Sequence, residues 1–347
     1  MKESTQKLEN LDIQKMKSNK KRFLTGIKPT GEVHIGNYFG AIKPCIEQSQ
    51  DQNNEVILMC VDWHGLTNKT EIFRPGELSH PLIALYLALG FNINDNSIVL
   101  QSNFPQIQEN SWYLSCVTAS GMLERSHAYK DALANGKTPT AGLLFYPALM
   151  SSDILTFDSQ FVPVGKDQAQ HLEYASDMAQ LFNNAVKKNV FNIPKAIIQE
   201  TPTLVGTDGE RKMSKSYDNV IPIFSSKKEL ERKVKEIKTD SKGLDDPKDP
   251  ETCTIFQIFK SFASPQAISY MQERLKNGTG YGYGHAKKDF IEEHEKVFGN
   301  YREKYEYYLS DIDAVKKILR PGYERAQYYA EQVTKRAREA LNLKNYW

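Results

Sequence analysis

Cysteine is scarce in this 347-residue chain, and Cys45, Cys60, Cys116 and Cys253 lie far apart, with no Cys-x-x-Cys pair and no histidine nearby at zinc-ligand spacing. That excludes a disulfide-stapled module and a structural zinc site, so the four are read as reduced packing residues. Long apolar runs are also missing. None approaches the ~18 residues a spanning helix needs, and no apolar core follows the basic start, so no membrane partner is expected and the cytoplasm is the expected compartment. The segment up to about Lys20 is rich in lysine, but it lacks arginine and carries Glu3, Glu9 and Asp12. Those features argue against an organelle transit peptide and for a solvated, partly helical tail over residues 1–20. An excess of one charge is lacking too: 45 basic against 43 acidic side chains leave a net charge of +2. Any RNA-binding surface must therefore be a local patch. No internal repeat is present.

What the chain does have is an ordinary globular composition, 40% hydrophobic and 25% charged, with enough length for one substantial core and a smaller second unit. From residue 22 short apolar runs alternate with helix-like stretches, the pattern of βαβ units around a parallel sheet. Arg22 to Ile27 reads as the first strand. Val56 to Val61, apolar throughout, reads as a strand covered on both faces, and Ile98 to Leu100 as a third, after a helix ending near Gly90. Leu172, Ala175, Ala179 and Phe182 share one helical face, which places Asp167 and Gln168 at a strand-to-helix switch, where open α/β sheets bind ligands. From about Pro222 strand-like runs vanish. Leu230, Val234 and Ile237 mark a helix whose outer face is expected to pair Glu229 with Lys233 and Glu231 with Lys235. Gly278 to Gly284 reads as a connector. A last helix has apolar positions at Tyr323, Ala326, Ala330, Val333, Ala337 and Leu341.

Two segments carry candidate chemistry. In Gly26-Ile27-Lys28-Pro29-Thr30-Gly31-Glu32-Val33-His34-Ile35-Gly36-Asn37 a strand passes through a Gly/Pro turn into a helix. Gly36 lets a nucleotide base approach the backbone, and His34 and Lys28 offer donors to phosphate oxygens. By itself this segment also fits a plain structural turn. In Lys212-Met213-Ser214-Lys215-Ser216 two lysines flank small hydroxyls behind the flexible Gly206-Thr207-Asp208-Gly209. Such a loop can close over a triphosphate and neutralise a pyrophosphate leaving group. Alone it fits a solvated basic loop equally well.

Together, in this order and about 180 residues apart, the two segments resemble the HIGH and KMSKS signatures of class I aminoacyl-tRNA synthetases. From about Arg22 to the C-terminus the chain is similar to the tryptophanyl branch of that class, the sister of the tyrosyl branch. The resemblance implies a Rossmann-like parallel-sheet catalytic domain over 21–222, a helical anticodon-binding domain over 223–320, and a C-terminal helix over 321–347 that packs back on the catalytic domain. It further implies ATP as co-substrate, magnesium carried in with ATP, L-tryptophan and tRNA(Trp) as partners, and a homodimer with each tRNA spanning both subunits.

The resemblance also distributes roles. Tyr146-Pro147-Ala148-Leu149-Met150-Ser151-Ser152-Asp153-Ile154-Leu155 is similar to the family's amino-acid pocket helix. There Asp153 accepts the indole N–H, which can only donate, while Met150, Ile154 and Val164 pack the ring and Tyr146 and Leu24 line the pocket. Val162-Pro163-Val164-Gly165-Lys166-Asp167-Gln168 resembles the family's strand-to-helix segment. Gly165, Lys166 and Asp167 are expected at ATP, the carboxylate on the ribose hydroxyls, and Gln168 near the tryptophan amino group. His64, in Asp62-Trp63-His64, is expected to face the same pocket. Lys28, Pro29, Thr30, Gly36, Asn37, Leu204, Lys212, Met213, Ser214, Lys215 and Ser216 complete the expected ATP contacts. Lys212, Lys215, His34 and Lys28 are the expected catalytic groups.

Three positions depart from the family pattern. Asn37 stands for the final His of HIGH, as is common in this branch. Lys28 stands where many members have Gln, and Asp131-Ala132 follow Lys130 where a further lysine is expected; Lys28 is read as supplying the missing charge. Leu24 stands where an aromatic often lines the pocket. For tRNA the chain offers Arg232, Lys233, Lys235 and Lys238 on one helix and Lys335, Arg336 and Arg338 on the last. The rival readings are a tyrosine–tRNA ligase on the same scaffold, a small-molecule adenylyltransferase, and a non-catalytic paralogue that binds tryptophan or tRNA.

Overall fold

The computed structural model describes residues 20–29, 31–67, 75–165, 169–198 and 203–344. The expected tail before Lys20 falls outside them. Strand β1 (Lys21–Ile27) leads to the helical segment α1, made of Ile35–Asn37, a π-helical turn over Tyr38–Ile42, and Lys43–Gln50. Then come β2 (Asn54–Cys60), α2 (Asp62–Gly65), α3 (Pro75–Ala88), β3 (Ser97–Leu100) and α4 (Pro105–Val117). The next run is α5 (Ser120–Glu124), α6 (His127–Ala134), α7 (Ala141–Leu155), β4 (Phe161–Val164), α8 (Ala169–Val186) and β5 (Lys195–Ile198). The remainder is helical: α9 (Lys227–Lys235), α10 (Thr254–Phe259), α11 (Pro265–Asn277), α12 (Tyr283–Ser310) and α13 (Ile312–Ala340). The expected α/β class with a helical C-terminal region is what the chain adopts.

All strands are parallel, in the order β3-β2-β1-β4-β5. The three strands read from the sequence are present, each within two residues of its expected span. β5 was not foreseen; it is a short, mostly exposed edge strand. β2 is buried along its whole length, and its side chains alternate between two cores, as a strand's period of two requires. Val56, Leu58 and Cys60 face a core shared with α3 and the C-terminal helices, including Leu230, Phe256 and Phe290. Ile57, Met59 and Val61 face Phe104, Ile107, Ile154 and the last helix. The order of connection reverses between β1 and β4, and there a parallel sheet opens a crevice at its carboxyl edge.

The last helix serves both cores. Val315 packs with the helical domain, whereas Ala326, Tyr329 and Ala330 cover the sheet and Val333 and Ala337 pack beside α8. A start at residue 321 is therefore corrected to Ile312: the first three turns follow a different apolar surface, so the stripe visible from Tyr323 onward misses them. At Gly322 an added Cβ would stand 3.0 Å from Ser97 Cα, and Ser97 Oγ donates to the Gly322 carbonyl at 2.8 Å. A side chain there would need the Ser97 backbone to give by a few tenths of an ångström.

Two further readings are corrected. Glu229 pairs with Arg232 rather than Lys233, whose ammonium is buried and reaches Asp218 at 2.8 Å. Of the cysteines, Cys45, Cys60 and Cys253 are buried, but Cys116 is exposed on α4.

Candidate active site

Where β1 and β4 diverge, a cavity of about 810 Å³ opens, within the range of small-molecule sites. The carboxyl end of β1 supplies Leu24 to Lys28 as one wall, and β4 with its exit supplies Val162 to Gly165 as the opposite one. α7 contributes Tyr146, Met150, Asp153 and Ile154, and α2 contributes His64. Leu24, Lys28, His64, Tyr146, Met150, Asp153, Ile154, Val164 and Gly165, all singled out from sequence, thus line one space. Thr30, Lys166, Asp167 and Gln168 lie outside the described residues.

At the back of the cavity Asp153 is 3% exposed. Its Oδ2 shares a proton with His64 Nε2 at 2.9 Å, and its Oδ1 accepts from Gln101 Nε2 at 2.7 Å. The Gln101 amide is itself oriented, because its Oε1 accepts the Trp63 backbone N–H at 3.0 Å. Oδ1 of Asp153 is consequently an acceptor with a lone pair to spare. Burial pushes the Asp153 carboxyl above the usual range, while His64 and Gln101 pull it back and Asp62 adds to the rise. Asp62 stays close through its Oδ1, which accepts from the Trp63 and Ser102 backbone N–H groups. Gln101 was missed in the sequence. The available signal was its place directly after β3, at the same carboxyl edge of the sheet.

The second cluster joins the two signature segments. His34 is buried at the start of α1; its Nδ1 accepts the Asn37 backbone N–H, and Asn37 Oδ1 accepts the His34 N–H, both at 3.3 Å. Asn37 is thus occupied as a helix cap. Burial, with Lys215 and then Lys212 nearby, lowers the His34 pKa to about 4. At neutral pH its ring is uncharged, and because Nδ1 accepts, the proton sits on Nε2 as a donor. A Cβ on Gly36 would lie 3.4 Å from Met213 Cβ, and one on Gly31 would lie 3.4 Å from Lys215 Nζ. An antiparallel bridge between His34 and Pro222 ties the first segment to the chain that follows the second. Met213 is buried, whereas Lys212 and Lys215 are exposed and Ser214 and Ser216 bond one another. Pro29 is buried, and Leu204 holds the Met213 N–H with its carbonyl; neither lines the cavity.

The cations offered to RNA divide. Lys233 is buried, Arg336 binds Asp158 and the Val190 carbonyl, and Arg338 binds Glu109, so these three serve the fold. Arg232 is held between Glu229 and Glu236. Lys235, Lys238 and Lys335 remain exposed, Lys238 beside Glu210 at 3.6 Å.

Comparison with known proteins gives the family. The family described as "tRNA synthetases class I (W and Y)" matches residues 16–299. A tryptophan–tRNA ligase of Fusobacterium nucleatum subsp. nucleatum is 40% identical over 324 residues, covering 93% of this chain and 98% of the relative. One from Rhodopirellula baltica is 41% identical over 326 residues, covering 93% and 100%. The crystal structure of tryptophanyl-tRNA synthetase from Campylobacter jejuni complexed with ADP and tryptophan superposes with a TM-score of 0.86 at 40% identity, covering 93% of this chain and all of that one, 100%. The chain belongs to the class I tRNA synthetases of the W and Y group, within its tryptophanyl branch.

Proposed function

We infer individual residue roles for the reaction that this membership brings with it. The chain activates L-tryptophan with ATP to tryptophanyl-adenylate and pyrophosphate, then transfers tryptophan to tRNA. No covalent enzyme nucleophile is needed, since the tryptophan carboxylate attacks the α-phosphorus and positioning lowers the barrier. The observation that carries the reading is the buried Asp153 carboxylate, held by His64 and Gln101 with a lone pair left for an indole N–H. A ring that can only donate satisfies it. A phenyl ring makes no bond to that lone pair and is disfavoured by the hydrogen bond it lacks.

Lys212 and Lys215 neutralise the departing pyrophosphate, together with magnesium brought in by ATP. Neutral His34 donates through Nε2 to a phosphate oxygen without adding charge. Lys28, on the cavity wall at the end of β1, supplies the cation that Ala132 does not. Asp167 takes the ribose hydroxyls and Gln168 the tryptophan amino group. The 2′ oxygen of the tRNA terminus then attacks the adenylate. The enzyme works in the cytoplasm as a homodimer, and exposed Phe145 on α7 with Trp112, Leu133 and Leu181 on helices packed around it support a second copy as partner. Each tRNA spans both subunits, with Lys235 and Lys335 within reach of RNA.

Tryptophan-dependent ATP–pyrophosphate exchange tests these roles. Lys215→Ala is expected to lower the rate by ~10²–10³, and Lys28→Gln to raise the KM for ATP without changing that for tryptophan. Unchanged ATP affinity and rate in Lys28→Gln would show that the charge is supplied elsewhere.

A further inference from the structure

We propose that Asn219 is the positioning residue of the lysine loop, setting the backbone from which Lys212 and Lys215 reach the triphosphate; the proposal rests on the roles given to those lysines above. Asn219 is 2% exposed and follows the loop it straps. Its Oδ1 accepts the Ser214 backbone N–H at 2.7 Å, and its Nδ2 donates to the Lys212 carbonyl at 3.1 Å and to Asp208 Oδ2 at 3.0 Å. One amide therefore grips the chain on both sides of Met213. Met213 is buried against Gly36 of the other signature segment.

The grip has a fixed sense. Asp208 accepts the Glu210 and Arg211 backbone N–H groups through Oδ1 and the Arg211 Nε–H through Oδ2. A carboxylate in that position can only accept, so the Asn219 NH₂ must face it and the amide oxygen must face Ser214. Gly206 makes room: a Cβ there would lie 2.1 Å from Asn219 Nδ2. The Asn219 carbonyl also accepts the Thr207 N–H at 3.0 Å. Lys212 and Lys215 have exposed, rotamer-rich side chains, so holding their Cα atoms in place removes part of the search that the transition state otherwise has to pay for. An Asn219 that merely stabilised the loop would lower the melting temperature and, through the folded fraction, the apparent kcat by the same factor in every background; a positioning residue acts on kcat through the lysines, so its effect shrinks once Lys215 is gone.

The test is tryptophan-dependent ATP–pyrophosphate exchange by the full chain, with thermal melts as the folding control. Asn219→Ala is expected to lower kcat by ~10–100-fold, to leave the tryptophan KM within about twofold, and to cost little further rate when added to Lys215→Ala, because both act through one unit. Asn219→Asp keeps the shape and the Ser214 bond but sets two carboxylates face to face, so its rate relative to the unaltered protein is expected to rise as pH falls from about 8 to 6 and a shared proton restores the donor. Full kcat in a folded Asn219→Ala, an undiminished loss in the Lys215→Ala background, or a flat pH ratio in Asn219→Asp overturns the proposal. A slow Lys215→Ala beside a full-rate Asn219→Ala overturns the strap alone. A full-rate Lys215→Ala overturns the lysine roles, and the strap with them.

Discussion

At the scale of single residues the decisive feature is a buried polar chain that runs from Trp63 N–H through Gln101 to Asp153 and His64. Asp153 and His64 were legible in the sequence because they sit in segments with a recognisable pattern. Their partnership was not: 89 positions separate them, and only the fold brings them to 2.9 Å. Gln101 carries no periodic or motif signal at all, and Lys233, read as a solvated charge, is buried because α9 turns that position toward Asp218. The account gives Gln101 a measurable weight. Gln101→Ala leaves Asp153 Oδ1 without its donor and the Trp63 N–H with Asp62 Oδ1 alone, at about 1–3 kcal/mol for a buried polar group. The expected result is a tryptophan KM raised ~10–100-fold at nearly constant ATP KM, read by exchange kinetics. An unaltered tryptophan KM would detach Gln101 from substrate binding.

Elements show why sequence patterns reached the sheet better than its coverings. β2 announces itself because both of its faces are buried, so every residue is apolar or shielded; β5 stays hidden because it has one neighbour and open water beside it. α13 is legible only where one stripe suffices. Its early turns pack into the helical core and its later ones onto the sheet, so a single face cannot describe it. The joint with β3 offers a test of this packing. Gly322→Ala gains helix propensity, about 1 kcal/mol, but drives a methyl against the Ser97 backbone, which has no flexible end to move. A net loss of about 1–2 kcal/mol in urea melts is expected. A variant as stable as the parent, or more so, would mean that the helix can slide away from the strand.

For the whole molecule, acid sensitivity follows from two buried histidines. Burial beside Lys215 and Lys212 lowers His34 from 6.5 to about 4. His294, wedged between Phe262 and Phe298, is lowered from 6.5 to about 4 by burial, with Glu295 opposing and Arg302 assisting. In both cases the unfolded chain takes up a proton before the folded one does as pH drops. Stability is therefore complete above about 6.5 and declines as pH falls toward 4. His294→Phe is expected to shrink the difference in unfolding free energy between pH 7 and pH 4 by about 2–3 kcal/mol, measured by denaturant melts at both values. An identical acid decline in the variant would place its origin elsewhere. The central claim, that a donor-reading pocket at the switch point selects tryptophan for activation, is tested most directly by ATP–pyrophosphate exchange with each of the twenty amino acids, using the unaltered chain and Asp153→Ala. The account predicts exchange with tryptophan alone, abolished in the variant. Exchange driven by tyrosine, or tryptophan exchange that survives the loss of Asp153, would contradict it.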